Sequence, residues 1–197
     1  MKVELRADGK LQISGYVNVT GKMSRPVITG KGRRVIEVIE ERAFQNALSR
    51  ASNVQMTKDH NSNYVLAETR ADTLKLYEDN IGLRAEAVID DEKTIEEAKA
   101  GKLKGWSFGM RNIDDSIEER AEQLPLRKVK GFDLDHVTLV VHKTPVYAAT
   151  SIELRADDVQ EELETRAFDD DVKFIDNKPK FDNTEFKERL EKLKLTK

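Results

Sequence analysis

The chain of 197 residues is long enough for one well-buried domain with an appendage, and too short for two domains of ordinary size. Its 34 basic and 37 acidic side chains leave a formal charge of -3, so no overall field would hold it on nucleic acid or on an anionic membrane. It has no cysteine, which excludes disulfides, thiolate zinc sites and cysteine nucleophiles, and it has neither a signal segment nor an apolar run of membrane-spanning length.

Short alternating or apolar runs, separated by Gly, Asn and Asp, fill the chain from residue 11 to about residue 152. This pattern is typical of the strands of a β-barrel or sandwich. Two segments have helical spacing instead, and the second has Gly101 where a helix C-cap glycine belongs. The sequence therefore predicts a mainly β fold with peripheral helices. The predicted strands are 11–19, 35–39, 54–58, 74–77, 83–89, 105–110 and 134–141, and the predicted helices are 40–49 and 92–102.

The composition changes near residue 155, where acidic clusters become frequent and apolar residues become sparse. We expect one domain over residues 1–155 and a charged tail over residues 156–197, partly helical or disordered. Residues 183–195 have the spacing of an amphipathic helix, which would need a partner in order to be stable.

A short string is repeated at irregular intervals. Glu-Leu-Arg-Ala occurs at residues 4–7 and 153–156, and Glu-Thr-Arg-Ala occurs at 68–71 and 164–167. Chance in a chain rich in Glu and Arg is one explanation. The irregular spacing excludes a solenoid.

A candidate nucleophile lies in the predicted strand 105–110. The period of two places Trp106 and Phe108 on one face, and Ser107 on the other, between two glycines. Bare backbone on both sides of a hydroxyl lets another chain approach closely, which suits attack on a peptide. A strand serine beside packing glycines is the structural alternative.

A nucleophilic serine needs a base, and the chain has three histidines. His60 follows a predicted strand in a polar turn, where a side chain is both held and exposed. His136 lies in the predicted strand 134–141, and if that strand continues to His142 the two histidines are roughly 20 Å apart, too far to share a metal ion. His136, near the start of a buried strand, is the better candidate for a functional imidazole. A surface histidine in a turn is the alternative for His60.

Other site signatures are absent. The sequence contains no phosphate-binding glycine loop, no GxSxG elbow, no HExxH and no basic patch interleaved with aromatic residues. We therefore expect no nucleotide, metal or other cofactor.

The order of several motifs resembles that of the prohead, or procapsid maturation, serine proteases of tailed bacteriophages, whose fold is similar to that of the herpesvirus assemblins. The likeness covers roughly residues 11–152. The motifs are Glu-Val-Ile-Glu-Glu-Arg-Ala-Phe at 37–44, Lys-Asp-His-Asn at 58–61, Asp-Asn-Ile-Gly-Leu at 79–83, Gly-Trp-Ser-Phe-Gly at 105–109, and Val-Thr-Leu-Val at 137–140 leading to Pro-Val-Tyr at 145–147.

This resemblance implies a barrel in which Ser107 is the nucleophile and His60 is the general base. Many such phage proteins have an acidic residue just before the last of these strands, whereas this chain has His136. We expect His136 to be the third member of the triad, as in a Ser-His-His arrangement, because strand parity lets only one of two neighbouring residues share the site face. Asp135 is the alternative third member.

Two functions follow as hypotheses. The first is a serine endopeptidase that cleaves scaffold or major capsid protein inside the assembling procapsid, in the host cytoplasm, and then cleaves itself near Ala156 or Ala167. The second is a non-catalytic capsid-assembly module with the same barrel, which binds scaffold or capsid protein through its charged tail. Both involve protein partners and neither involves nucleic acid or a membrane; a homodimer like that of the assemblins stays open.

Overall fold

The computed structural model describes residues 1–142, 163–169 and 171–177, which form a mainly β fold with two short helices. No helix within these residues is both long and apolar enough to cross a membrane. The elements in chain order are β1 (Lys2–Leu5), β2 (Leu11–Val19), β3 (Pro26–Ile28), β4 (Arg34–Ile39), α1 (Ala43–Arg50), β5 (Gln55–Lys58), β6 (Asn61–Glu68), β7 (Leu74–Glu78), β8 (Gly82–Ile89), α2 (Glu92–Lys99), β9 (Gly105–Glu118), β10 (Leu126–Val140), β11 (Glu164–Asp169) and β12 (Lys173–Asp176).

The described strands form two sheets. The first has the order β12-β1-β2-β8-β7, and the second has the order β11-β9-β10-β4-β3. The long strand β10 organises the second sheet: β9 runs antiparallel to it, its first half pairs in parallel with β4, and its second half pairs in parallel with β5. β6 extends this sheet by pairing with β5.

The mainly β fold with peripheral helices is confirmed, but a closed barrel is not found. Over the described ranges the two sheets follow separate hydrogen-bonded paths, and neither path returns to its own first strand. Period-two alternation shows that a strand has one buried face, and a barrel and an open sheet share that property. Closure depends on which strands pair, and alternation does not specify this.

The core lies between the sheets and under α1. Trp106, Phe108 and Met110 project from one face of β9 and are fully buried, as the period of two requires. The ring of Phe44 from α1 meets the rings of Phe108 and Phe132 edge-on, at centroid distances of 5.2 and 5.1 Å. This packing fixes the middle of β9 and β10, the part of the sheet that carries the candidate site.

Helix α2 has the ends that its sequence specifies. The Asp91 side chain caps the first turn by accepting a hydrogen bond of 2.7 Å from the Thr94 amide. At the other end Gly101 has a φ of +67°, and the amides of Gly101 and Lys102 donate to the carbonyls of Ala98 and Glu97. These two bonds form a Schellman motif, which confirms the predicted C-cap glycine.

All seven predicted strands and both predicted helices are present, although several bounds differ. The main differences are that β9 and β10 extend into the charged segments 111–118 and 126–133. The patterns did not predict the strands β1, β3 and β6. The predicted helix 183–195 lies outside the described residues.

Two further strands lie in the segment 156–197, for which the pattern predicted none. β11 pairs with β9, and β12 pairs in parallel with β1. The N-terminal amine of Met1 also donates a hydrogen bond of 2.8 Å to the Asp171 carbonyl. This part of the segment is therefore folded against the two sheets.

Candidate active site

The pairing of β9 with β10 sets the framework of the candidate site. Ser107 lies opposite Thr138, and Gly109 lies opposite His136. Cross-strand partners point to the same face of a sheet, so the serine and the histidine share a face. β5 continues both rows, since Thr57 pairs with Thr138 and Gln55 pairs with His136.

His60 is positioned by a tight turn. Lys58 pairs with Asn61, so Asp59 and His60 form a two-residue hairpin loop, with φ of +50° and +60°. The Asp59 carboxylate holds this loop by accepting hydrogen bonds of 2.8 and 3.2 Å from the amides of Val141 and His142. His60 therefore does lie in a turn at a strand end, and its position is fixed by contacts with the end of β10.

A buried threonine links the turn to the sheet. The Thr138 hydroxyl accepts a hydrogen bond of 3.0 Å from the His60 amide and donates one of 3.0 Å to the Thr57 carbonyl. The Thr57 hydroxyl donates a hydrogen bond of 3.0 Å to the Thr138 hydroxyl oxygen. Thr138 is thus the neighbour of Ser107 across the strands and also the support of the His60 backbone. Sequence reasoning missed this role, although a fully buried hydroxyl on the histidine face of a strand was a usable signal.

The two imidazoles are in direct contact. Nδ1 of His60 lies 2.8 Å from Nε2 of His136, and the rings are nearly perpendicular, at 80°. Nδ1 of His136 lies 2.7 Å from Oδ2 of Asp135. The three side chains form a continuous series, in which Asp135 contacts His136 and His136 contacts His60.

Strict alternation does not hold at Asp135. A register shift between Leu134 and His136 marks an irregularity of β10, and this lets two consecutive side chains reach one site. The expectation that strand parity admits only one of Asp135 and His136 is therefore wrong. Both residues line one pocket, whose walls are formed by Gln55, Thr57, His60, Ser62, Arg111, Asp135, His136 and Leu163.

Asp135 is held as a carboxylate. Burial acts to raise its pKa, but hydrogen bonds from His136 and Arg111 outweigh burial and lower the pKa of Asp135 to about 2. The Arg111 guanidinium donates from Nε to Oδ1 at 2.6 Å, so each carboxylate oxygen has a partner. Arg111 lies in β9 and Asp135 in β10, so spacing within one segment could not predict this contact.

Ser107 is almost completely buried, with 1% of its surface exposed. Its hydroxyl donates a hydrogen bond of 2.6 Å to the carbonyl of Arg166 in β11. β11 runs antiparallel to β9, with Ala167 opposite Ser107. A strand of the same chain therefore lies along the edge that carries the candidate nucleophile.

The third histidine is separate from this series. Nδ1 of His142 lies 3.0 Å from Oδ2 of Asp59, and its Nε2 lies 3.4 Å from Oε1 of Glu97. Within the described ranges no group of three or more His, Asp or Glu side chains is arranged to hold a metal ion. His142 contacts the carboxylate that fixes the His60 turn.

The arrangement points to one class of chemistry. The described residues include a buried serine on a strand, an antiparallel peptide strand against it, and a carboxylate–imidazole–imidazole series on the serine's face of the sheet. These are the side-chain types that acyl transfer uses. A family model described as caudovirus prohead serine protease matches residues 1–165. The chain belongs to this family, which confirms the family predicted from the sequence and gives the protein a protease role in phage maturation.

No curated protein and no solved structure matches the chain. The similarity to the assemblin fold therefore stays a prediction. The family match covers Ser107 and the series His60, His136 and Asp135, and it ends within β11, one residue before Arg166.

Proposed function

We propose that the protein is a serine endopeptidase that cleaves scaffold or capsid-protein segments, and itself, during maturation of the phage procapsid. One observation carries this proposal: the series Asp135, His136 and His60 lies on the face of the sheet that carries Ser107. In the proposed roles Ser107 is the nucleophile, His60 is the general base and His136 is the third member. We place the reaction inside the assembling procapsid in the host cytoplasm.

The hydrogen-bond series supports these roles by setting the tautomers. A carboxylate only accepts hydrogen bonds, so Asp135 places the proton of His136 on Nδ1. Nε2 of His136 is then an acceptor and receives the Nδ1 proton of His60. Nε2 of His60 is left with its lone pair, as a general base requires.

Acyl transfer follows from this protonation state. His60 takes the Ser107 proton as the serine oxygen attacks a peptide carbonyl, and returns it to the leaving amine. The imidazolium formed on His60 in this step is stabilised by His136, whose own partner is the ionised Asp135. Asp135 therefore positions His136, and His136 contacts the general base His60. The two candidates for the third member of the triad thus hold consecutive places in one series.

The experiment is co-expression of the full chain with the major capsid or scaffold protein of the same genome, followed by mass measurement of all products. Three chains are compared: wild type, Ser107→Ala, and the matched control Ser116→Ala on the same strand. We expect fragments with wild type and Ser116→Ala and none with Ser107→Ala. Intact partners with all three chains, still co-purifying, would contradict the protease and favour the capsid-assembly module.

A further inference from the structure

β11 lies on β9 as a peptide substrate would lie on a protease strand. Its six residues pair antiparallel with residues 105–110, from Glu164 opposite Met110 to Asp169 opposite Gly105. The Ser107 hydroxyl donates a hydrogen bond of 2.6 Å to the Arg166 carbonyl. The carbonyl that contacts the proposed nucleophile therefore belongs to the Arg166–Ala167 peptide bond.

The Arg166 side chain enters a buried acidic site. Its guanidinium donates from Nε to Oε1 of Glu37 at 2.8 Å and from Nη2 to Oε2 of Glu37 at 2.8 Å. This is a bidentate pair, the geometry that discriminates arginine from other side chains. Glu37 is 3% exposed, so water does not compete for the carboxylate. Glu37 is the first residue of the motif 37–44 that carries the family resemblance, and it contacts Arg166 specifically.

A second site receives the side chain of Glu164, two residues earlier. One oxygen accepts a hydrogen bond of 3.0 Å from the Gly30 amide, and the other pairs with the Arg127 guanidinium. Burial acts to raise the pKa of Glu164, but the Arg127 hydrogen bond and the Arg166 charge outweigh burial and lower it. Arg127 also contacts Glu37 at 3.1 Å, so the two sites share a partner.

We propose, on the basis of the protease function above, that Glu37 is the specificity determinant for an arginine before the scissile bond. Arg127 and the Gly30 amide select an acidic residue two positions earlier. β11 occupies these sites as the protein's own substrate. The substrate class is an extended polypeptide with the pattern acidic–any–Arg, cut after the arginine.

The reaction on β11 balances as ordinary peptide hydrolysis. The Ser107 oxygen forms a bond to the Arg166 carbonyl carbon while its proton moves to His60, and the bond to the Ala167 nitrogen breaks as that nitrogen takes the proton. Water then attacks the ester carbonyl while His60 takes one of its protons. The ester bond breaks, and His60 returns the proton to the Ser107 oxygen. The products are residues 1–166 with a new carboxylate and residues 167–197 with a new amine.

Under this proposal, the repeated strings are candidate cleavage sequences. Glu-Thr-Arg-Ala at 164–167 is the string bound at the site, and Glu-Leu-Arg-Ala at 153–156 fits the same pattern but lies outside the described residues. The copy at 4–7 begins in β1, which pairs with strands on both sides. The copy at 68–71 ends in a turn where the Arg70 amide donates to Asn53 at 3.0 Å. These two copies are held by the fold and cannot lie extended on β9.

The test is self-cleavage of the full chain, read by intact mass under denaturing conditions, in cells that also contain the procapsid protein. Denaturation matters because β12 pairs with β1 and would hold the cut segment in place. Wild type should give products 1–166 and 167–197. Arg166→Gln and Glu37→Gln should lower cleavage of the 166–167 bond by at least about 100-fold, because each variant removes the buried bidentate pair between Arg166 and Glu37. Arg70→Gln, the matched control in another copy of the string, should cleave like wild type.

Cleavage of the procapsid protein by the Arg166→Gln chain would show that the body remains folded and active. Cleavage of the 166–167 bond at the wild-type rate in Arg166→Gln or Glu37→Gln would overturn the specificity assignment. Ser107-dependent cleavage of the procapsid protein, with the 166–167 bond intact in wild type, would overturn the inference and leave the proposed function standing. Absence of any Ser107-dependent cleavage would overturn the proposed function itself.

Discussion

The imidazole of His136 lies over the backbone of Gly109. The two residues are cross-strand partners in β9 and β10. A Cβ atom built on Gly109 would lie 2.6 Å from Cε1 and 2.9 Å from Nδ1 of the ring. Non-bonded heavy atoms do not approach a Cβ so closely, so the ring keeps this position because residue 109 has no side chain.

Replacing Gly109 with alanine should displace His136 and uncouple it from His60. We expect cleavage of the procapsid protein to fall by about 100-fold, because a shift of about 1 Å in a catalytic group has an effect of that size. The measurement is kcat/KM on the procapsid protein or on a peptide cut by the wild type, together with the midpoint of thermal unfolding.

Gly131→Ala is the matched control. A Cβ at Gly131 would meet only the Asp114 side chain within 4 Å, at 3.9 Å, which is an ordinary contact. Both glycines lie in the β9–β10 pair, so a general effect of an added methyl group on this pair would appear in both variants. An active Gly109→Ala enzyme would contradict the assigned role of His136.

Replacing Asp135 with asparagine should disturb the tautomers while leaving the shape of the site unchanged. The asparagine amide can donate to Nδ1 of His136, which would then carry its proton on Nε2 and oppose the Nδ1 proton of His60. We expect kcat to fall by about 10²- to 10⁴-fold with a small change in KM. Asp133→Asn is the control, because this exposed neighbouring carboxylate contacts Arg50 and Asn112 instead. Equal losses in both variants would contradict the series.

The ionised state of Asp135 should make the unfolding free energy depend on pH. Its pKa is about 2 in the fold against an ordinary value of 3.8, so folding favours the ionised form. The contribution is fully present above about pH 5 and is lost as the pH falls through 4 towards 2. The shift sets an upper limit of about 2.4 kcal/mol of unfolding free energy, and solvent screening of this partly exposed carboxylate reduces the contribution below that limit.

Urea unfolding at several pH values between 2 and 6, for wild type and Asp135→Asn, measures this contribution. The difference in unfolding free energy should be constant above about pH 5 and should shrink below pH 4. A difference that does not change with pH would mean that the carboxylate is not held by His136 and Arg111.

Much of the fold could be predicted from the sequence, because alternation and helix caps are local. Ser107 on a strand between glycines and His60 in a turn are features of short segments. The contact between His60 and His136 spans 76 positions and depends on the parallel pairing of β5 with β10, which no local pattern encodes. The irregularity that brings Asp135 to the site is also set by strand pairing.

The charged segment beyond residue 155 was harder to predict for an electrostatic reason. Glu164 and Arg166 read as solvent-exposed residues because charged side chains are almost never fully buried unless they are paired. Glu164 and Arg166 pair with each other, and their other partners, Glu37 and Arg127, lie far away in the chain. The strand β11 is recognisable only when all four charges are considered together.

Thr138 offers the sharpest test of how the general base is positioned. Its hydroxyl accepts from the His60 amide and donates to the Thr57 carbonyl, both at 3.0 Å. Thr138→Val keeps the shape but leaves both groups without that partner, which costs about 1–3 kcal/mol of unfolding free energy. We expect cleavage to fall by at least about 10-fold, mainly in kcat, because the turn carrying His60 loses its support.

Thr138→Ser separates this positioning role from packing, because it restores the hydroxyl and removes only a methyl group. It should retain cleavage within a few-fold of wild type, while its unfolding free energy falls by about 1 kcal/mol. The expected pattern is therefore an active serine variant and a slow valine variant of similar stability. If both variants lose kcat in proportion to their loss of stability, Thr138 has only a packing role, and the His60 turn is held by Asp59 alone.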